Sequence, residues 1–175
     1  FFLRWVVKQL LIYVLKQIKC AVNPEAGFEK ERELITSDWP RHVAVVGGGP
    51  AGMEVARRLS LRGFKVSRIE SGKRLGGTLP FASIAYKPSE KLLKWLRRQV
   101  EQSTVEIHTD TEATVDTLRR MNPDEVIIAT GAQRGMPEGI PGSDRDFVFS
   151  GEEMRALVLS EPHPGLKRKT NAFTR

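Results

Sequence analysis

An α/β fold, built as an open and mainly parallel sheet flanked by helices, is what this sequence predicts. Between His42 and Thr130 short β-branched runs alternate with helical patterns, and strands that alternate with helices pair in parallel through crossover connections. The first and last of those runs each stop at a glycine, Gly47 and Gly131. Apolar residues make up 40% of the 175, enough for a sizeable core.

His42–Val46 is short, β-branched and closed by glycines, which reads as a buried strand. Pro50–Leu61 places Met53, Val55, Ala56 and Leu59 at helical spacing, with Gly63 as the stop. Lys65–Glu70 is a second strand. Pro88–Ser103 is a helix with proline at its entrance and Leu92, Leu93, Leu96 and Val100 on one face. Thr104–Thr109, Val115–Met121 and Glu125–Thr130 read as strand, short helix and strand, and Glu152–Leu159 as a further helix. Upstream, residues 20–41 carry Asn23-Pro24, Gly27 and a polar EKERE run, the composition of a linker. Residues 1–19 have helix-forming length with Arg4, Lys8, Lys16 and Lys19 on one broad side. They read as a basic amphipathic helix packing on another part of the protein, with a surface-lying membrane helix and a disordered end as alternatives. The uncharged run Gln9 to Leu15 is too short to span a bilayer.

The net charge of +7 is concentrated at the ends. Residues 1–19 and 162–175 hold four cations each and no acid, so residues 20–161 carry −1. That distribution lacks the basic face of a nucleic-acid-binding domain, and no such partner is expected. Cys20 is the only cysteine, so no internal disulfide can form, and a lone thiol suits a reducing, cytoplasmic setting. His42, His108 and His163 show no partner pattern and read as structural or solvated. No metal-ligand spacing is present, and the run Lys167-Arg168-Lys169 reads as solvated linker.

The chemistry is carried by Val43-Ala-Val-Val-Gly47-Gly48-Gly49-Pro50-Ala51-Gly52. Gly47, Gly49 and Gly52 stand in G-x-G-x-x-G spacing after a strand and before a helix. Gly47 permits the tight turn, Gly49 lets a pyrophosphate approach the backbone, and Gly52 lets helix and strand pack closely. The helix N-terminus offers free N–H groups and partial positive charge to phosphates, and Pro50 suits its first turn. Glu70 follows at the end of the second strand, 18 residues past Gly52. A carboxylate there can accept from ribose hydroxyls and would repel a 2′-phosphate, which disfavours NADP at this site. The pattern predicts a Rossmann-like dinucleotide-binding unit over 42–142.

Two more motifs follow: Arg74-Leu75-Gly76-Gly77-Thr78, and Ile127-Ile128-Ala129-Thr130-Gly131. With these four elements in order, the chain resembles the two-dinucleotide-binding flavoproteins of the pyridine-nucleotide-disulfide-reductase superfamily. The resemblance implies FAD as cofactor and NAD(P)H as partner through a further domain. It implies that Gly47, Gly49, Pro50, Ala51 and Gly52 line the pyrophosphate, and that Glu70 binds the adenosine ribose. Arg74, Gly77 and Thr78 would lie along the adenosine–pyrophosphate stretch, Ala113 would meet the adenine edge through its backbone, and Thr130 and Gly131 would close over the pyrophosphate. Residues 143–175, with Ile140-Pro141-Gly142 before them and Ser150-Gly151-Glu152-Glu153 within them, resemble the start of the connection toward the NAD(P)H domain.

Lys19-Cys20-Ala-Val-Asn-Pro24 resembles the junction in Old Yellow Enzyme-type multidomain reductases, such as 2,4-dienoyl-CoA reductase, 2-enoate reductase and trimethylamine dehydrogenase. In that family an FMN-bearing barrel and a [4Fe–4S] site precede this point. Cys20 matches the last cluster ligand, and the three partners expected within 1–16 are absent, so a cluster is not expected here. The chain opens on Phe1 and stops in a basic stretch, which reads as part of a longer protein. Its own expected role is binding the ADP half of FAD, with no catalytic residue of its own. A non-redox ADP- or FAD-binding module and an NAD-dependent dehydrogenase domain remain alternatives. Substrate, oligomeric state and the choice between NADH and NADPH are not written in these residues, and membrane association is not expected.

Overall fold

The computed structural model describes residues 3–7, 20, 22–23, 25–132, 135–136, 139–166 and 169. The chain divides into two compact units, Phe1–Ile35 and Thr36–Arg175. In the first, residues 3–7 are helical, and most of the helix expected over 1–19 lies outside the described residues. Further along, the Asn23 N–H donates to the exposed Cys20 Sγ at 3.3 Å, and Arg32 stacks 4.6 Å from the Phe28 ring centroid. The Asn23 and Val22 amides hold the Cys20 thiol below its ordinary value.

The second unit is the α/β fold. Its elements run β1 (His42–Val46), α1 (Pro50–Leu61), β2 (Lys65–Ile69), α2 (Leu79–Ala85), α3 (Pro88–Glu101), β3 (Glu106–His108), α4 (Val115–Met121), β4 (Glu125–Ile128) and α5 (Gly151–Leu159). The sheet order is β3-β2-β1-β4 and every pairing is parallel. All four expected strands and the four expected helices of this unit are present, several of them shortened at their ends. Helix α2 was not expected. Its sequence, LPFASIA, is apolar but for Ser83 and so shows no helical stripe. It forms because Pro80 stands in its first turn and the glycine turn before it frees the chain to change direction.

The core lies on one face of the sheet. Val43 and Val45 of β1 and Val66 of β2 pack beneath Met53 and Ala56 of α1 and Leu93, Leu96 and Val100 of α3. Parallel register makes Val43 the neighbour of Val66, and Val45 the neighbour of Arg68. Neighbours in register point to the same face, so Arg68 is carried into the helix-covered layer. It is 0% exposed, and none of its three guanidinium nitrogens has a hydrogen-bond partner. Burial pushes its pKa down to about 10, against the pull of the Glu70 carboxylate. At neutral pH the group therefore stays charged.

The opposite face carries a polar chain across three strands. Ser67 Oγ donates to Glu106 Oε2 at 2.9 Å, and His42 Nε2 lies 2.9 Å from the same hydroxyl. A serine has one proton, so Ser67 can only accept from His42, and Nε2 is the protonated nitrogen. Ser67 and then Lys65 hold the Glu106 carboxyl below the usual range. Elsewhere His163 Nδ1 accepts from the Gly165 N–H at 3.1 Å.

Helix α5 begins with a capping box, in which Ser150 and Glu153 satisfy each other's backbone N–H groups. Lys169 is 4% exposed and donates to Glu153 Oε2 at 2.7 Å and to the Val148 carbonyl at 2.6 Å. This corrects the reading of the 167–169 run as solvated linker. A carboxylate already holding a helix cap supplies a buried acceptor for the amine, which a charge pattern alone does not reveal. Residues 167–168 lie outside the described residues.

The buried cation of β2 has a measurable consequence. Exchanging a buried charge for an apolar side chain of similar volume commonly stabilises a protein by about 1–4 kcal/mol. Arg68→Leu is expected to do so here, read as a higher urea midpoint at unchanged slope. A lower midpoint would mean that the guanidinium has a partner in solution.

Candidate functional site

Three chain segments meet at the carboxyl ends of β1, β2 and β4. This is the end at which open parallel sheets bind ligands, at the point where strand order reverses; here β1 lies between β2 and β4. The first segment is the turn 47–49 that joins β1 to α1. Gly47 has φ +116, and a Cβ there would run into the Ala129 carbonyl. A Cβ on Gly52 would collide with the Gly47 carbonyl oxygen. Only hydrogen side chains allow α1, the turn and the end of β4 to come so close. Gly49 differs in having no clash: a Cβ there would sit in ordinary van der Waals contact with Gly77 Cα, at 4.0 Å. Within α1, Ala51 and Gly52 lie in the first turn, where N–H groups have no intrahelical acceptor.

The second segment is Glu70 and the loop after it. Glu70 is half-buried and accepts from two backbone amides, Gly48 N at 2.5 Å and Gly72 N at 2.7 Å. Sequence reasoning missed Gly48 because the motif asks only for its flanking glycines. A Cβ on it would meet Glu70 Oε2 at 2.5 Å, so the middle glycine makes room for the carboxylate. Three glycines in a row, where two suffice, were the available signal. Farther on, the Gly76 N–H donates to the Gly48 carbonyl at 2.8 Å, and Gly77 (φ +53) is close enough to Gly49 that a Cβ would meet its Cα at 2.9 Å. Arg74 is exposed. Thr78, half-buried, caps the start of α2 without a side-chain hydrogen bond.

The third segment is Ala129-Thr130-Gly131. The Ala129 N–H donates to the Val46 carbonyl at 2.7 Å, which fixes this turn beside Gly47. Thr130 and Gly131 are exposed, and Gly131 has φ +75. At the far side the Thr111 N–H donates to the Glu70 carbonyl at 3.0 Å. That places the half-buried Ala113 in the segment leading away from Glu70. The fold therefore brings Gly47, Gly49, Pro50, Ala51, Gly52, Glu70, Gly77, Thr130 and Gly131 to one end of the sheet, with Thr78 and Ala113 on segments leading from it. Arg74 is exposed on the loop between Glu70 and Gly77. Among the described residues no group of His, Cys, Asp and Glu could hold a metal ion, and no helix is long and apolar enough to cross a membrane.

Residues 41–161 match the family described as pyridine nucleotide-disulphide oxidoreductase. The chain belongs to this family. Among its relatives, a bilirubin reductase of Mediterraneibacter gnavus is 38% identical over 136 residues, covering 77% of this chain and 21% of that protein. A cinnamate reductase of Clostridium sporogenes is 36% identical over 139 residues, covering 78% of this chain and 20% of that protein. A 2-naphthoyl-CoA reductase solved with 2-naphthoyl-CoA superposes with a TM-score of 0.69 at 28% identity, covering 77% of this chain and 21% of that one. The chain thus spans about a fifth of the length of these relatives. They are reductases of the Old Yellow Enzyme type, in agreement with the resemblance drawn from the Cys20 junction. As a pyridine nucleotide-disulphide oxidoreductase domain, this chain carries the fold used in flavoprotein reductases.

The close approach of Gly52 to Gly47 is open to direct test. Gly52→Ala places a methyl against a backbone oxygen, and overpacking of this kind costs about 1–3 kcal/mol. The expected result is a lower denaturation midpoint. An unchanged midpoint would show that the turn can shift without loss.

Proposed function

We propose that this chain binds the ADP half of FAD and forms the FAD-binding portion of an NAD(P)H-dependent flavoprotein oxidoreductase. The observation that carries the proposal is the turn 47–49, which delivers β1 into the first turn of α1 with no side chain over the N–H groups that lack intrahelical acceptors. A diphosphate requires such backbone N–H groups with no side chain in the way. The residues present fit the group. Gly47, Gly49, Pro50, Ala51 and Gly52 would line the diphosphate from the α1 side, and Gly77 and Thr78 from the other. Glu70 would accept from the adenosine ribose while its two amide partners hold it in place. Ala113 would meet the adenine through its backbone, Arg74 would lie along the adenosine, and Thr130 and Gly131 would cover the diphosphate. When bound, FAD would supply the two-electron chemistry between a reduced nicotinamide and the acceptor. These residues bind and orient it; none is assigned a proton transfer.

The family name refers to disulphide chemistry, which needs two thiols. With one cysteine no disulfide can form within these 175 residues. Nor do the residues present fit a [4Fe–4S] cluster, which takes four thiolates. FMN, the iron–sulfur centre and NAD(P)H would belong to other parts of the intact enzyme, as would its substrate.

Recombinant protein supplied with FAD is expected to retain it, with mass analysis of the released nucleotide as the check. Glu70→Ala removes a charged acceptor, worth roughly 1.5–3 kcal/mol, and should weaken FAD and ADP binding by about 10- to 100-fold in calorimetry. Release of NAD instead would favour a dehydrogenase domain. Tight ADP with no flavin would favour a non-redox module.

A further inference from the structure

The R-L-G-G loop forms one wall of the candidate diphosphate site, yet its closure on the glycine turn rests on a single backbone hydrogen bond, from Gly76 N–H to the Gly48 carbonyl, 2.8 Å long. The glycines themselves add no side-chain packing. What holds the loop at that point comes from a distant element. Arg97, half-buried on α3, aims its guanidinium at the Leu75 carbonyl: Nε donates at 2.9 Å, and Nη2 donates to the same oxygen. The Leu75 side chain is itself 7% exposed and belongs to the core cluster with Leu93 and Leu96. Leu75 is thus held twice, its side chain by the core and its carbonyl by Arg97. The next two residues are the ones that reach Gly48 and Gly49.

We infer that Arg97 is a positioning residue for the diphosphate site: by fixing the Leu75 carbonyl it holds Gly76 and Gly77 against Gly48 and Gly49 and so sets the conformation of the glycine turn. The inference deepens the FAD reading above and rests on it for the identity of the ligand, though not for the mechanical role. The geometry leaves little slack. Gly76 (φ +137) already lies so close to the α3 side chain Leu93 that a Cβ would meet its Cδ1 at 2.8 Å, and Gly77 is in near contact with Gly49. A loop confined on both sides transmits a shift at Leu75 directly to the glycine turn. Losing both guanidinium donors would leave a buried carbonyl unpaired, and the loop would move outward to find water.

The test compares the full chain with Arg97→Met, which keeps most of the packing stem and removes both donors, and with Arg97→Lys, which keeps one. In the ligand-free protein the Gly76 amide should exchange with deuterium at least about tenfold faster in Arg97→Met, while β1 amides are unchanged. ADP should bind about tenfold more weakly, adenosine, which lacks the diphosphate, with unaltered affinity, and Arg97→Lys should recover part of the ADP affinity. Unchanged exchange at Gly76 would overturn the inference. So would equal losses for ADP and adenosine, which would mark a general folding defect. If the unmodified chain bound no ADP at all, the FAD reading would fall, and the Gly76 exchange rate would still decide the role of Arg97.

Discussion

The contact between the turn after β1 and two distant segments is the constraint on which this unit is organised. Gly47 abuts the Ala129 carbonyl, Gly52 abuts the Gly47 carbonyl, and Gly77 abuts Gly49. Each approach is backbone on backbone, and each would be closed by a single methyl group. Because these contacts tie the end of β1 to the end of β4 and to the loop after β2, they fix the carboxyl end of the sheet more tightly than side-chain packing could. Packing density in the core below, between β1, β2, α1 and α3, then has a rigid roof to build against.

That roof also arranges charge. Glu70 lies over the glycine turn and takes two backbone amides, so one carboxylate stitches together the turn, its own strand end and the following loop. Backbone donors hold a carboxylate without a counter-cation and leave it free to accept further hydrogen bonds. Elsewhere the fold is less economical. Arg68 shares the apolar face of Val45 and Val66, fully buried and without a partner. Glu153 and Lys169 show the opposite solution, a buried pair satisfied by a helix cap and a carbonyl.

The order β3-β2-β1-β4 converts these local contacts into a candidate site. Because β1 is central, its turn sits between the ends of β2 and β4, and a nucleotide laid across the strand ends would meet the glycine turn, Glu70 and Ala129-Thr130-Gly131 in turn. Relatives named for different compounds, a bilirubin reductase and a cinnamate reductase among them, align to 77% and 78% of this chain.

The sequence by itself determined the alternation of strands and helices, the nucleotide character of the glycine turn with Glu70, and the family. These features are local, since spacing along one chain encodes a strand, a tight turn, a helix and an acid at the next strand end. Tertiary structure alone decided the rest. It showed that Gly48 gives way to Glu70, and that Gly76 and Gly77 lie against Gly48 and Gly49. It formed a helix from the stripe-less apolar run Leu79–Ala85, and it buried Lys169 where a solvated linker was expected. It also buried Arg68, whose fate depended on parallel register with Val45. For Gly48, Gly76, Gly77 and Lys169 the partner lies many residues away, and a contact between distant segments leaves no periodic trace in either one.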